Sequence, residues 1–195
     1  LALCLMLLLT LTACAAIGKG AACCTHTFNA MGLFHQHRPG IMGAVLEHPV
    51  MCEAICDGRH LHPGSVRMLL ACKGWDKVVA ITDSIQAAGL PDGHYKLGVN
   101  DVVVVDGDAK LASNGVRAGS TLTTGQALKN LVQFTGESVE KVLPLLTANP
   151  ARLIGMDYRK GSIAPGKDAD LVVLDDKLNV TATYVAGQCV FAAEK

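Results

Sequence analysis

The sequence has no charge imbalance: 17 Lys and Arg stand against 17 Asp and Glu in 195 residues. A chain without a basic stripe or patch is not built as an electrostatic nucleic-acid binder, so no nucleic-acid partner is expected. It also lacks length for one large architecture, since a complete eight-fold β/α barrel takes ~250 residues. Disorder is excluded from the other side, because 50% of the residues are apolar and that share is ample for a core. Eight cysteines are present, but no CxxC pair is matched by a second, which argues against a structural zinc site. Cys4, Cys14, Cys23, Cys24, Cys52, Cys56 and Cys72 crowd the first 72 residues and Cys189 stands alone. Most lie in apolar runs such as MCEAIC and LLACKG, where cysteine behaves as a small buried hydrophobe, as expected of a reducing compartment.

Charge is missing altogether from LALCLMLLLTLTACAAIG, and the first charged side chain is Lys19. Three readings compete for this run. It is barely long enough to span a bilayer. LTAC at Leu11–Cys14 is similar to the lipidation box of bacterial lipoproteins, which would anchor the chain to a membrane through Cys14. Against both, a basic leader and an initiating Met are missing. The third reading, a disturbed and non-native edge, is favoured, the lipoprotein second and the membrane helix last.

Beyond residue 20 the pattern alternates between strand and helix. Val50–Cys56 is a short apolar run of the kind buried on both faces of a sheet. Gly64–Cys72 carries Val66, Leu69 and Leu70 at helical spacing, and Lys77–Thr82 is a second buried strand that ends at Asp83. Such a strand–helix–strand unit implies a parallel pair with a right-handed crossover. A hairpin is expected over Leu97–Val105, turning at Val99–Asn100, with another turn at Asp106–Asp108. Thr121–Phe134 and Ser138–Ala148 read as amphipathic helices, the second with Glu140 placed for the helix dipole. From Gly161 onward the chain breaks into short strands.

The polar residues with chemical potential fall near expected strand ends: His26, the pair His35 and His37, the stretch Asp57–His60, and Asp83. Strand C-termini form the active face of parallel β/α folds. There His and Asp can bind a metal, and Asp can take a proton from water. Taken singly, each has a plainer role: a hydrogen-bonded histidine, a helix-capping Asp or a solvated loop. His48, His62 and His94 carry no sign of a partner. Spacing alone therefore supports a hydrolase face and stops there.

The motifs go further. THTFNAM (Thr25–Met31), the PG turn leading into GAVLEHP, DGRHLHP (Asp57–Pro63), ITDSIQAAGLPDGHYKLG (Ile81–Gly98), RAGSTLT (Arg117–Thr123), TANPARLIGM (Thr147–Met156) and KGSIAPGKDADLVVLD (Lys160–Asp175) follow one another in order. Together, over roughly residues 15–192, they resemble the N-acetylglucosamine-6-phosphate deacetylase family of the amidohydrolase superfamily. The last two motifs are general to the superfamily, whereas THTFNAM, DGRH and TDS…AAGLPDG are specific. The resemblance implies an α/β fold: an incomplete (β/α)8 TIM-type barrel, its C-terminal half, plus C-terminal strands of a small β-sandwich. Residues 1–18 would be the disturbed segment, 19–156 the half-barrel and 157–195 the sandwich strands.

The implied activity is hydrolysis of a linear amide C–N bond, giving glucosamine 6-phosphate and acetate with the help of a divalent metal ion, zinc or iron. By the same resemblance His26 matches a metal ligand and Asp83 the catalytic acid–base residue. Asp57, Gly58 and His60 match a sugar-binding stretch, and Asn29 and Ala30 contact substrate near its phosphate. Arg117, Ala118 and Gly119 occupy another substrate-binding turn, where an apolar residue is more usual than Arg117. The family grips phosphate with an Arg before Glu-Pro-Gly, sometimes from the neighbouring subunit. Here His37 falls on that position and Arg38 lies one residue later. The role is assigned to Arg38, because a guanidinium forks onto phosphate.

The implied partners are a small-molecule sugar phosphate and a second copy in a homodimer, with a cytoplasmic location. One departure is large. The family's upstream Glu and second His have no counterpart, since residues 1–24 contain no His, Asp or Glu. Catalytic zinc normally has three protein ligands, so weak metal binding, impaired turnover and a tendency to aggregate are expected. Two alternatives remain: another amidohydrolase, dihydroorotase-like or a deaminase, and a catalytically inactive fragment or lipid-anchored binding protein.

Overall fold

The computed structural model describes residues 2–3 and 10–193; Cys4 and the apolar stretch 4–9 lie outside the described residues. Four strands run parallel in the order β1-β2-β3-β4: Ala2–Leu3, Cys23–Cys24, Met51–Ile55 and Val78–Ile81. Helices α1 (Thr10–Gly18), α2 (Gly40–Glu47) and α3 (Pro63–Lys73) make the crossovers. Apart from Glu53, the strands read as near-continuous apolar runs because both faces are covered. Cys24, Cys52, Ala54, Val78 and Ala80 join the main core with Val45, Leu69, Leu131 and Leu145. Cys23, Met51 and Val79 pack on the opposite face beside Ile81 and Leu153. Helix α1 meets α2 through small residues, Ala13 against Ala44.

The expected parallel pair is there, with Cys52 beside Val78 and Ile55 beside Ile81. Helix α3 starts where His62 accepts the Gly64 N–H through Nδ1 (3.0 Å), with Pro63 in its first turn. His62, which carries no sign of a partner in the sequence, thus serves as the N-cap of α3.

Two expectations need correcting. The hairpin runs from β5 (Gly93–Leu97) to β6 (Asn100–Val105), so its turn is Gly98–Val99, one residue earlier than expected, and its first arm starts at Gly93. Gly98 has φ 58, the backbone that a two-residue hairpin turn opening on glycine demands. The second turn, Asp106–Gly107 with φ 50 and 72, joins β6 to β7 (Asp108–Leu111). The helix expected over Ser138–Ala148 is interrupted. After α4 (Thr124–Thr135) come α5 (Val139–Val142), a 3-10 turn (Leu143–Leu145) and α6 (Ala148–Leu153). Pro144 has no N–H to give to the α-helical ladder, so the chain tightens into the 3-10 turn, and the helical backbone is left at Thr147, with φ -130 and ψ -79.

Strands β8 (Leu171–Leu174), β9 (Val180–Val185) and β10 (Gln188–Ala192) form a separate antiparallel sheet, ordered β10-β9-β8. Its flank is laced by Lys160 and Arg159 on Asp168. Cysteine burial holds for Cys23, Cys24, Cys52 and Cys56 but not for Cys72 and Cys189, which are exposed; all are free thiols. Burial pushes the Cys52 and Cys56 thiols up to about 12, which makes them unreactive at neutral pH. No helix among the described residues is long and apolar enough to cross a membrane.

Candidate functional site

Three loops leave the C-terminal ends of β2, β3 and β4, and because those strands are adjacent the loops lie side by side along one edge. The first carries His26, Asn29 and Ala30, the second Asp57, Gly58 and His60, and the third Asp83. This is the edge where parallel α/β sheets place their chemistry.

The β2 loop is strained. His26, Phe28 and Ala30 all have positive φ, at 34, 75 and 53, and each such non-glycine residue stores about 1–3 kcal/mol. The loop is held by β3: Thr27 N–H donates to the Glu53 carbonyl (2.8 Å) and His26 N–H to Glu53 Oε2 (3.4 Å). Asn29 closes the turn by donating its side-chain N–H to the carbonyls of His26 (3.1 Å) and Thr27 (3.2 Å), so its amide is engaged locally. His26 Nδ1 is buried with no hydrogen-bond partner, alone in this among buried side-chain polar atoms of the described residues. Buried polar groups are nearly always paired, so this nitrogen is the exception on this edge and is chemically able to take a donor or a metal ion. Glu53, in the middle of β3, was missed by sequence reasoning; the signal was a lone carboxylate in the buried strand MCEAI. Burial and then its charge push the Cys23 thiol up to about 12.

The β3 loop is the opposite case. Asp57 accepts from the amides of Arg59 (2.8 Å) and His60 (2.7 Å) through Oδ1, and from His60 Nδ1 at 2.6 Å through Oδ2. Both side chains are about nine-tenths buried, at 8% and 10% exposure. Burial alone would raise the Asp57 carboxyl, but these donors outweigh it and hold it below its ordinary value. An ionised Asp57 fixes the proton on Nδ1 and leaves Nε2 as the free end of the ring. Gly58, with φ 75, makes the sharp turn between them.

Asp83 lies two residues beyond β4, with φ 50, and is exposed. Its carbonyl accepts from Ser120 N–H (2.8 Å), and Ser120 O accepts from Ile85 N–H (2.9 Å), so the turn at Arg117–Gly119 runs into a segment alongside Asp83. Gly119 has to be glycine: a Cβ there would lie 2.7 Å from Ile85 Cγ2 and 2.9 Å from the Asp83 carbonyl. Ala118 is buried under the β5–β7 sheet. The Arg117 side chain is not free, since it forks onto Asp108 at 2.7 and 3.0 Å. Arg38 and His37 sit apart in an exposed loop, where His37 N–H donates to His35 Nδ1 (3.2 Å).

A family model described as the amidohydrolase family matches residues 11–190. The chain belongs to the amidohydrolase family. This amidohydrolase chain is 38% identical to an N-acetylgalactosamine-6-phosphate deacetylase of Escherichia coli O157:H7, over 89% of its own length and 46% of that protein's. It is 37% identical to an N-acetylglucosamine-6-phosphate deacetylase of Bacillus subtilis, over 90% of itself and 44% of the relative. A solved Mycobacterium smegmatis deacetylase, an Asp-to-Ala mutant in complex with N-acetyl-D-glucosamine-6-phosphate, superposes with a TM-score of 0.89 at 37% identity. That match covers 94% of this chain and 49% of the other. The chain thus spans about half the length of these relatives.

Proposed function

We propose that this amidohydrolase chain carries part of an N-acetylhexosamine-6-phosphate deacetylase site, acting on N-acetylglucosamine 6-phosphate. The observation that carries the reading is the backbone of His26 and Asp83: two non-glycine residues at positive φ, at the ends of two strands of one sheet, one with a buried and unpartnered nitrogen. In this reading residues 19–156 are the C-terminal half of a β/α barrel and 157–195 are sandwich strands, while α1, packed on α2 through Ala13 and Ala44, brings residues 10–18 into the half-barrel, in place of the disturbed edge expected there. Successive parallel strands with helical crossovers support the first assignment.

Asp83 is the acid–base group. Its exposed carboxylate accepts a proton as water adds to the N-acetyl carbonyl, and returns it to nitrogen as the C–N bond breaks to release acetate. Nε2 of His60, aimed by Asp57, and the turns at Gly58 and Gly119 hold the sugar. Asn29 and Ala30 lie toward the phosphate, which Arg38 grips, with Ala118 backing the turn. Arg117 joins this site through its backbone turn, its guanidinium being occupied by Asp108. A homodimer built around the Arg38 loop is supported by the exposed apolar side chains beside it, Leu33 and Phe34. The free thiols support a cytoplasmic setting.

The divalent zinc or iron that the resemblance implies is not accommodated by these residues alone. His26 Nδ1 suits a ligand, but no group of three His, Cys, Asp or Glu side chains able to hold a metal is present among the described residues.

Binding and hydrolysis measured together test the reading. Titration with N-acetylglucosamine 6-phosphate should show saturable binding, unchanged in Asp83→Asn. Free-amine release in the variant should fall by on the order of 10²–10⁴. Unchanged turnover, or no sugar-phosphate binding, would overturn it. The 38% identity to a galactosamine-series deacetylase favours running the C4 epimer in parallel.

A further inference from the structure

Arg59 is the residue between Gly58 and His60, and the fold grips it at three points. Its N–H donates to Asp57 Oδ1 at 2.8 Å. Its carbonyl accepts from Arg117 Nη1 at 3.2 Å. Its guanidinium donates to the Asp106 carbonyl and lies 3.9 Å from Asp108. Arg117 is itself anchored, with Nε and Nη2 on the two oxygens of Asp108 at 2.7 and 3.0 Å, and Lys110 adds a third contact to that carboxylate at 3.1 Å. Asp108 is held well below the usual carboxylate range, chiefly by the Arg117 hydrogen bonds.

The geometry points to Arg117 and Asp108 as positioning residues that fix the Arg59 main chain and, through it, the aim of the His60 ring. Gly58 offers no side chain to steady the turn, and its positive φ is a backbone conformation that glycine adopts at no steric cost. Asp57 secures the amide side of the loop, while Arg117 supplies the contact on the carbonyl side. Because Asp108 begins β7 and Asp106 opens the β6–β7 turn, the clamp ties the loop bearing His60 to the whole β5–β7 sheet. That sheet is in turn pinned, since Asp92 accepts from Gly107 N–H (3.0 Å) and Thr121 donates its hydroxyl to the Gly107 carbonyl (2.6 Å). The inference rests on the reading of the Asp57–His60 pair as facing the sugar.

Amide hydrogen exchange by mass spectrometry on the intact chain tests the clamp without requiring turnover. The variant is Asp108→Leu with Arg117→Leu, because an ion pair replaced by packed apolar side chains is often neutral for stability while the Arg59 carbonyl loses its donor. Exchange at the Arg59 and His60 amides should rise roughly tenfold, the weight of one hydrogen bond from a charged donor, with β3 and β4 unchanged. Arg117→Lys, which keeps the charge without the fork, should fall between parent and double variant. Unchanged protection at Arg59 and His60, or an equal rise across β3 and β4, would overturn the clamp. A selective rise with unaltered sugar-phosphate affinity keeps the clamp and overturns the substrate role of His60.

Discussion

His26 and His60 end neighbouring strands of one sheet, yet the fold treats them in opposite ways. His60 has a carboxylate on Nδ1 at 2.6 Å and is fixed before any ligand arrives. His26 has a strained backbone and a buried Nδ1 that nothing in the described chain satisfies. The difference teaches that one ring belongs to the architecture and presents a finished edge, while the other keeps a nitrogen open. A polar atom withdrawn from water without a partner is a net loss in the free protein, and a ligand can reverse that loss.

The largest effect should come from removing what finishes the His60 side. Asp57→Ala strips the acceptor from two amides and one ring nitrogen, and should lower stability by about 3–5 kcal/mol in urea unfolding, as breaking one partner of a buried pair does. Next is His60→Ala, which leaves Asp57 with its amide donors and should lose about 1–3 kcal/mol by the same measurement. A third test is pH. Because the folded Asp57 carboxyl is held below its ordinary value of 3.8, its contribution is present above that value. It drains away as pH falls through the lower folded value, so Asp57→Asn should flatten the acid limb of the stability–pH curve. A parallel acid limb would show the carboxylate to be idle. The smallest effect is expected on the other side. His26→Asn tolerates positive φ and removes the orphaned ring nitrogen, so stability should change by less than about 0.5 kcal/mol. A loss as large as that of His60→Ala would mean that His26 is as structural as its neighbour, and would erase the contrast.

Much of this edge was legible in the residues. MCEAI and VVAI read as buried strands because no charge but Glu53 interrupts them, and Asp83 was placed at a strand end by the pattern itself. What escaped were relations between distant segments. Glu53 carries no local signal of its role, which is set by the backbone N–H groups of His26 and Thr27 that donate to its side chain and its carbonyl. The fork of Arg117 onto Asp108, nine residues back across β7, is likewise a pairing that no local pattern specifies. The break at Pro144 could have been read from proline alone, but the helical periodicity on either side of it concealed the stop.

Local chemistry determined the parallel strands, the hairpin turn at Asp106–Gly107 and the order of the motifs, because apolar runs, glycines and prolines act over a few residues whatever surrounds them. Which histidine is satisfied and which is open was decided only by tertiary structure. That depends on whether a carboxylate meets the ring nitrogen across the loop, and position in the chain does not specify such a meeting. Asp57 reaches His60 within its own turn; His26 has Glu53 at its amide and, among the described residues, no partner at Nδ1.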